Sequence, residues 1–375
     1  MIWLFTTVLW AGVLTMRVES RWALTAFEVA LFALAAAAIA RKRFALAIHP
    51  IGAILASIAI WGLTQVAWNI SVDSQKTLEA SLDWATNCAA FSLALHLARR
   101  QFLTAQAIFG LLVAIGAVIA LFTTGSLGAF AYRNQFAAFV EVCLALAVVA
   151  AFRQRLWILV AAALFASVIA AGSRTGSALC LALLLALPLA ACLRGLIPGK
   201  TLLRLATLSA ASAIALVTVV GWETIWQRFN EPHPYSARAD MNRSSWNIIR
   251  DRPITGFGLG AWPSAYPKYA RYDDGTFVNQ AHNDWAQWTA EGGLPLLGAM
   301  LALLAMLAPK AWKSIWGLGL IAVFVHAAVD YPFEQRPALA AWLFAMMGAL
   351  AAEFKESFLE TPSNRRPGIP DEIGS

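Results

Sequence analysis

Charge is scarce in this chain of 375 residues: 13% of positions are Asp, Glu, Lys or Arg, against 60% hydrophobic. That scarcity excludes an ordinary soluble domain, in which about a quarter of residues are charged, and indicates a polytopic membrane protein. Cysteine numbers four and histidine five. Cys88, Cys143, Cys180 and Cys192 fall inside apolar runs with no metal-ligand spacing, so they read as small buried hydrophobes and imply no disulfide. A basic segment is missing ahead of the first apolar run, Ile2 to Met16, and a second run follows at once. The first run therefore reads as a span rather than a cleaved signal peptide. The net charge of +7 does not indicate nucleic acid, because the basic residues sit in short clusters between apolar runs, the pattern that sets topology.

What the chain has is apolar helix. Runs long enough to approach the ~20 residues of a membrane span recur throughout. They predict an all-α fold of about twelve transmembrane helices, near 2–16, 22–40, 48–67, 78–97, 104–122, 135–152, 156–171, 177–192, 202–220, 285–308, 314–329 and 338–354. The first is short, and the fourth carries Glu79, Asp83 and His96. The organisation expected is residues 1–221 as helices one to nine, 222–281 as a long outer loop, 282–354 as three more helices and 355–375 as a tail.

Lysine and arginine concentrate in short cytoplasmic loops. With the N-terminus inside, the inner loops hold Arg41, Lys42, Arg43, Arg99, Arg100, Arg153, Arg155, Arg194, Lys200, Arg204, Lys310 and Lys313, twelve in all. The short outer loops hold six: Arg17, Arg21, Lys76, Arg133, Arg174 and Arg336. Both termini are thus expected inside. Arg133, Arg174, the long loop and the His326 to Arg336 turn then fall on one outer face. In a bacterium that face is periplasmic and has no nucleotide sugars or ATP, so a transferase there needs a lipid-borne activated donor.

The long loop is too extended to lack structure of its own. Asp240 to Arg250 predicts a helix with Arg243, Asn247 and Arg250 on one face and Trp246 and Ile249 placed to pack; Pro253 ends it. The GFGLG cluster, Gly256 to Gly260, follows no strand and opens no helix, so it reads as a re-entrant or hairpin turn rather than a phosphate cradle. Arg238, Arg243, Arg250 and Arg252 outnumber Asp240 and Asp251, and guanidinium forks suit phosphate oxygens. Arg174 and Arg133 stand at helix starts, where an arginine either snorkels to the interface or points into a cavity; Asn134 and Gln135 add a polar shelf to the latter. His282 opens a membrane-entering helix and is followed by Asn283, Asp284, Gln287 and Glu291-Gly292-Gly293. An imidazole there is a candidate base, and neighbouring arginines would favour its neutral form. His326 and Asp330 lie one turn apart, placed either to orient one another or to cap a helix.

Four segments in order, SRTG at a helix start, Arg238 ahead of RDRPITGFGLGAW, HNDWAQWTAEGGLPLL, and HAAVDYPFEQRPALAAWLFAMMGAL, resemble the O-antigen ligase and Wzy-type polymerase family of bacterial envelope glycan enzymes over roughly residues 120–350. The resemblance implies a C-type membrane glycosyltransferase in the bacterial inner membrane, active on its periplasmic side. It would move a glycan from undecaprenyl pyrophosphate to an acceptor hydroxyl, on the lipid A core of lipopolysaccharide or on another glycan. It also implies Arg174 and Arg238 as pyrophosphate-binding residues and His282 as the base, with Arg133, Arg243, Asn283, His326 and Asp330 as candidate substrate contacts. The outer loops have no DxD metal motif; Asp273-Asp274 is an adjacent pair in a turn. Guanidinium groups would stand in for a divalent ion, and neither metal nor cofactor is expected. Donor, acceptor and membrane lipid are the expected partners, and nucleic acid is not.

Two other classes fit parts of the pattern. Twelve spans with both ends inside also describe secondary transporters, lipid-linked glycan flippases among them, but those tend to have repeated halves and midplane ionisable groups. A non-catalytic glycan-binding protein would account for the 16 tryptophans, which interfacial aromatic belts explain equally well.

Overall fold

The computed structural model describes residues 1–18, 20–41, 49–98, 100–205, 207, 211, 214, 236–270, 275, 277–334 and 336–359. It is all-helical. In chain order the helices are α1 (Ile2–Thr15), α2 (Arg21–Ala40), α3 (Pro50–Ala67), α4 (Ser74–Leu97), α5 (Arg100–Thr124), α6 (Arg133–Ala151), α7 (Trp157–Ala171), α8 (Arg174–Leu193), α9 (Ser236–Asp251), α10 (Trp262–Ala265), α11 (Asp284–Ser314), α12 (Leu318–His326) and α13 (Pro337–Leu359). Among the described residues seven, α2, α3, α5, α6, α8, α11 and α13, are long and apolar enough to cross a membrane. Helices α1 and α7 are apolar but shorter, and α12 has nine residues. The expected ninth span, 202–220, lies mostly outside the described residues, as do Asp273, Asp274 and the end of the tail.

Helix α6 and helix α13 form the centre, each with 83% of its apolar window buried, whereas the outer helices bury 28–44% of theirs. Helices apolar on all sides need no amphipathic stripe, because lipid and protein neighbours accept the same side chains. Helix α4 packs along α13 and α3, and α6 along α7, α8 and α12. At Gly348 on α13 an added Cβ would stand 2.2 Å from the Phe91 carbonyl oxygen of α4, so that crossing requires the missing side chain. The charges of α4 are answered locally. The Arg21 guanidinium reaches Asp83 at 3.3 Å and Glu28 at 3.1 Å, and Lys76 pairs with Glu79 at 3.3 Å. His96 meets its own helix at the Ser92 carbonyl. Cys143 and Cys180 are buried, and all four cysteines are free thiols.

Helix α11 departs from the regular span expected from the sequence. At Gly293 the backbone turns to φ 73°, ψ −173°, which frees carbonyls and N–H groups that lipid cannot satisfy. The outer segment supplies the partners. Phe257 N–H donates to the Ala290 carbonyl at 3.0 Å, Gly258 N–H to Glu291 at 3.0 Å, and Leu294 N–H to Pro253 at 2.7 Å. From α3, the Gln65 amide donates to the carbonyls of Glu291 and Thr255 and accepts from Leu259 N–H, and Trp61 donates to the Gly292 carbonyl. A Cβ at Gly256 would lie 2.1 Å from the Glu291 carbonyl oxygen, and φ there is +64°, so a glycine is required on both counts. The GFGLG stretch is thus a turn, as expected, locked against a broken helix. Helix α9 forms as predicted and runs a turn further at its N-terminal end. It buries Ile248 and Ile249, but Trp246 is 59% exposed and does not pack.

Candidate functional site

The site assembles around the start of α11. Asn283 caps that helix by accepting Ala286 N–H at 3.1 Å, so Asn283 rather than His282 opens it. His282 precedes the cap in a left-handed conformation, φ 53°, uncommon for a residue other than glycine. Asp284 is fully buried; its carboxylate accepts Phe333 N–H at 3.0 Å, and its own N–H reaches the carbonyls of Ala327 at 2.8 Å and Asp330 at 3.1 Å. These bonds clamp the turn after α12 against the start of α11, and so bring Asp330 to His282.

Asp330 is the junction of the site. Its Oδ1 lies 3.5 Å from His282 Nδ1, at the limit of a hydrogen bond, so that contact is chiefly electrostatic. Its Oδ2 accepts Arg238 Nη2–H at 3.0 Å, while Arg238 Nη1–H donates to the Val329 carbonyl at 3.0 Å. Asn134 also donates to Oδ2. The Asn134 carbonyl oxygen accepts the Ser173 hydroxyl at 2.8 Å, and Ser173 in turn caps α8 by accepting Gly176 N–H at 3.1 Å. Arg174, half-buried, is the first residue of that helix. The edge of Tyr331 meets the imidazole with ring centroids 4.6 Å apart. Burial pushes the Asp330 carboxyl up, but His282 and the Arg238 guanidinium outweigh it and hold the group below the usual aspartate range.

Of the residues expected from the sequence, Asp330 contacts both Arg238 and His282, and Ser173, the neighbour of Arg174 in the chain, reaches Asp330 through Asn134. Others stand apart. Arg133 is exposed at the first turn of α6, and its neighbour Asn134 makes the connection. Arg243 is 63% exposed, beside Asp240 at 3.7 Å, and no contact among the described residues takes it to Asp330 or His282. Asn283, besides capping α11, donates to the Asn242 side chain at 3.1 Å and so ties α9 to α11. His326 meets Glu141 of α6 at 2.7 Å rather than Asp330, and both side chains are fully buried. His326 has no exposed surface in this arrangement, so its side chain is occupied with α6 rather than open to the site. The arginine neighbourhood expected for His282 is corrected: the charge at its Nδ1 belongs to the Asp330 carboxylate, and Arg238 lies across that carboxylate.

Sequence reasoning passed over Ser173, Tyr331, Glu141 and the structural part of Glu291. Glu141 had a signal, a lone carboxylate inside an apolar helix. Glu291 is almost fully buried and accepts Gly260 N–H at 2.8 Å, Trp262 N–H at 3.2 Å and the Gln287 amide at 3.1 Å. The glycine turn therefore binds a carboxylate of the chain itself, and its N–H groups at Gly260 and Trp262 are not available to phosphate.

Residues 158–301 match the family model described as O-antigen ligase. The match contains Arg174, Arg238 and His282 and ends before Asp330, so the resemblance read from the sequence is shown for the stretch that carries both arginines and the histidine. No curated protein matches the chain significantly.

Proposed function

We propose that the chain, an O-antigen ligase-like membrane protein, is a glycosyltransferase that moves a glycan from undecaprenyl pyrophosphate to an acceptor hydroxyl on the periplasmic side of the bacterial inner membrane. The observation that carries this reading is the Asp330 carboxylate held between Arg238 and His282, which sets a cation beside a base at one end of the bundle. In the reaction the acceptor oxygen bonds to the anomeric carbon, the bond from that carbon to the pyrophosphate oxygen breaks, and undecaprenyl pyrophosphate leaves with the electron pair. The acceptor proton passes to His282. A proton on Nδ1 facing Asp330 leaves Nε2 unprotonated, as a base requires. Arg238 uses two of its five N–H donors on Val329 and Asp330, and the remainder, with Arg174, bind the pyrophosphate and offset its developing charge. Asp330 positions both Arg238 and His282.

A pyrophosphate leaving group needs its developing charge offset, and guanidinium groups can do that work by bidentate hydrogen bonds. The test is single-turnover transfer from a purified lipid-linked donor with EDTA present. His282→Gln keeps a hydrogen bond to the acceptor but lacks the base, and turnover is expected to drop by ~10²–10⁴-fold with acceptor binding retained. Near-normal turnover removes His282 from the mechanism, and loss of wild-type activity in EDTA returns a metal to it.

A further inference from the structure

A concavity of about 760 Å³ lies between the outer ends of α1, α2 and α4, the glycine turn and the start of α13. Its size is that of a small-molecule site. Gln280, two residues before His282 in the chain, lines it.

The lining sets charged and amide side chains among apolar ones. Glu79, Asp83 and Glu334 face it with Arg21, Lys76 and Arg336, three acids against three bases. Two of those pairs are already closed as ion pairs, Arg21 with Asp83 and Lys76 with Glu79, both at 3.3 Å. A lining whose acids and bases are equal in number, most of them closed as ion pairs, offers a pyrophosphate little net attraction. It offers hydroxyl groups alternating donors and acceptors. Two buried amide oxygens complete the pattern: Asn87 Oδ1 and Gln280 Oε1 have no hydrogen-bond partner, although the residues are only 4% and 7% exposed. Leaving such oxygens unpaired costs about 1–3 kcal/mol each, a cost that a hydroxyl-bearing ligand removes once the amide turns its oxygen toward the cavity. Aromatic rings complete the wall, with Trp84 inside and Phe277, 81% exposed, at the rim; the C–H faces of pyranose rings stack on such surfaces.

We infer that this cavity is a glycan subsite, which holds the sugar residues next to the reacting one through Asn87, Gln280 and the paired carboxylates. The inference rests on the glycosyltransfer reading and specifies where the neutral, polyhydroxyl part of a substrate lies while Arg174 and Arg238 hold the anionic part. Donor and acceptor both carry such sugars.

The test uses the full chain in nanodiscs and three probes: the lipid-free oligosaccharide released by mild acid from the lipid-linked donor, the deacylated acceptor glycan, and sugar-free undecaprenyl pyrophosphate. Saturation-transfer NMR reads the glycans and a binding titration reads the lipid. One of the two glycans is expected to bind wild type and to lose about tenfold in affinity or more in both Asn87→Ala and Gln280→Ala. Which glycan responds distinguishes a donor from an acceptor subsite. Undecaprenyl pyrophosphate should bind both variants as it binds wild type, which also certifies their fold; Asn87→Ser replaces Asn87→Ala if that variant does not assemble. The inference is overturned if neither glycan binds wild type at millimolar concentration, or if both variants bind the responding glycan as wild type does. Failure of undecaprenyl pyrophosphate to bind wild type would count against the proposed reaction instead, and the glycan measurements would still decide the cavity.

Discussion

Arg238 and Asp330 stand 92 positions apart in sequence and meet at 3.0 Å, with the aspartate side chain 4% exposed and the arginine 25%. The contact joins the outer segment to the turn after α12, and the other oxygen of the same carboxylate faces His282. One residue thus sets the position of two proposed catalytic groups.

Asp330→Asn keeps the shape and removes the charge. The amide can still accept from Arg238 or approach His282, but it no longer holds a proton on Nδ1. Transfer is expected to fall by about 10²-fold or more, within the general-base range, with donor binding changed far less. Equal losses in turnover and donor affinity would assign Asp330 to pyrophosphate binding rather than to orienting the base.

The pH profile follows from the sign of the Asp330 shift. A carboxylate held below its ordinary value of 3.8 keeps its charge, and the contacts that depend on it, above that value and loses them only as pH falls through the lowered one. Asp330 is therefore ionised across the whole range in which an imidazole titrates, ~6.5 for an unperturbed group. A decline in rate on mild acidification is therefore not owed to Asp330, and with His282 as the base it should vanish in His282→Gln against whatever residual rate remains. Persistence of the same decline in that variant would point to another group.

Arg174 and Arg238 differ in what else they do. Alanine at either should weaken donor binding by ~1.5–3 kcal/mol, the range of hydrogen bonds to charged groups, and lysine should restore part of it without the fork. Arg238→Ala also leaves Asp330 without its ion-pair partner, so turnover should fall further than in Arg174→Ala. Donor affinity unchanged in both alanine variants would hand these arginines to topology.

The broken helix makes a prediction about stability. Glu291→Gln retains one acceptor oxygen where two now serve Gly260 and Trp262, and an unpaired buried N–H costs about 1–3 kcal/mol. Gly256→Ala should be worse, because its Cβ would collide with the Glu291 carbonyl. Thermal unfolding in detergent should rank wild type above Glu291→Gln and Glu291→Gln above Gly256→Ala; an alanine variant as stable as wild type would contradict the locked turn.

Orientation can be read with thiols. In a background without the native cysteines, Ser264→Cys should react with an impermeant reagent in intact spheroplasts, and Gly195→Cys, at an exposed position on the opposite, inner side of the expected topology, should not. The reverse labelling would invert the arrangement and move the proposed site to the cytoplasm.

The sequence by itself determined the class and most of the elements. Apolar runs without period need no partner stripe, so α2, α3, α5, α6, α8, α11 and α13 are legible as membrane helices one at a time, and the lysine and arginine asymmetry predicts a common face for Arg174, the long loop and the 326–336 turn. It also marked Arg238, His282 and Asp330 by residue type and segment order. What the tertiary structure decided is which of these polar groups meet. Spacing along the chain could place His326 and Asp330 one turn apart, but only packing of α12 on α6 gives His326 to Glu141 and leaves Asp330 to Arg238 and His282. Periodicity could not foresee that α11 breaks at Gly293, because the break is stable only when a segment some forty residues earlier supplies the missing hydrogen bonds. Helix formation is local and follows from composition. The site depends on pairings far apart in the chain, such as the 92 positions between Arg238 and Asp330 and the 196 between Asn134 and Asp330, and these exist only once the bundle has closed.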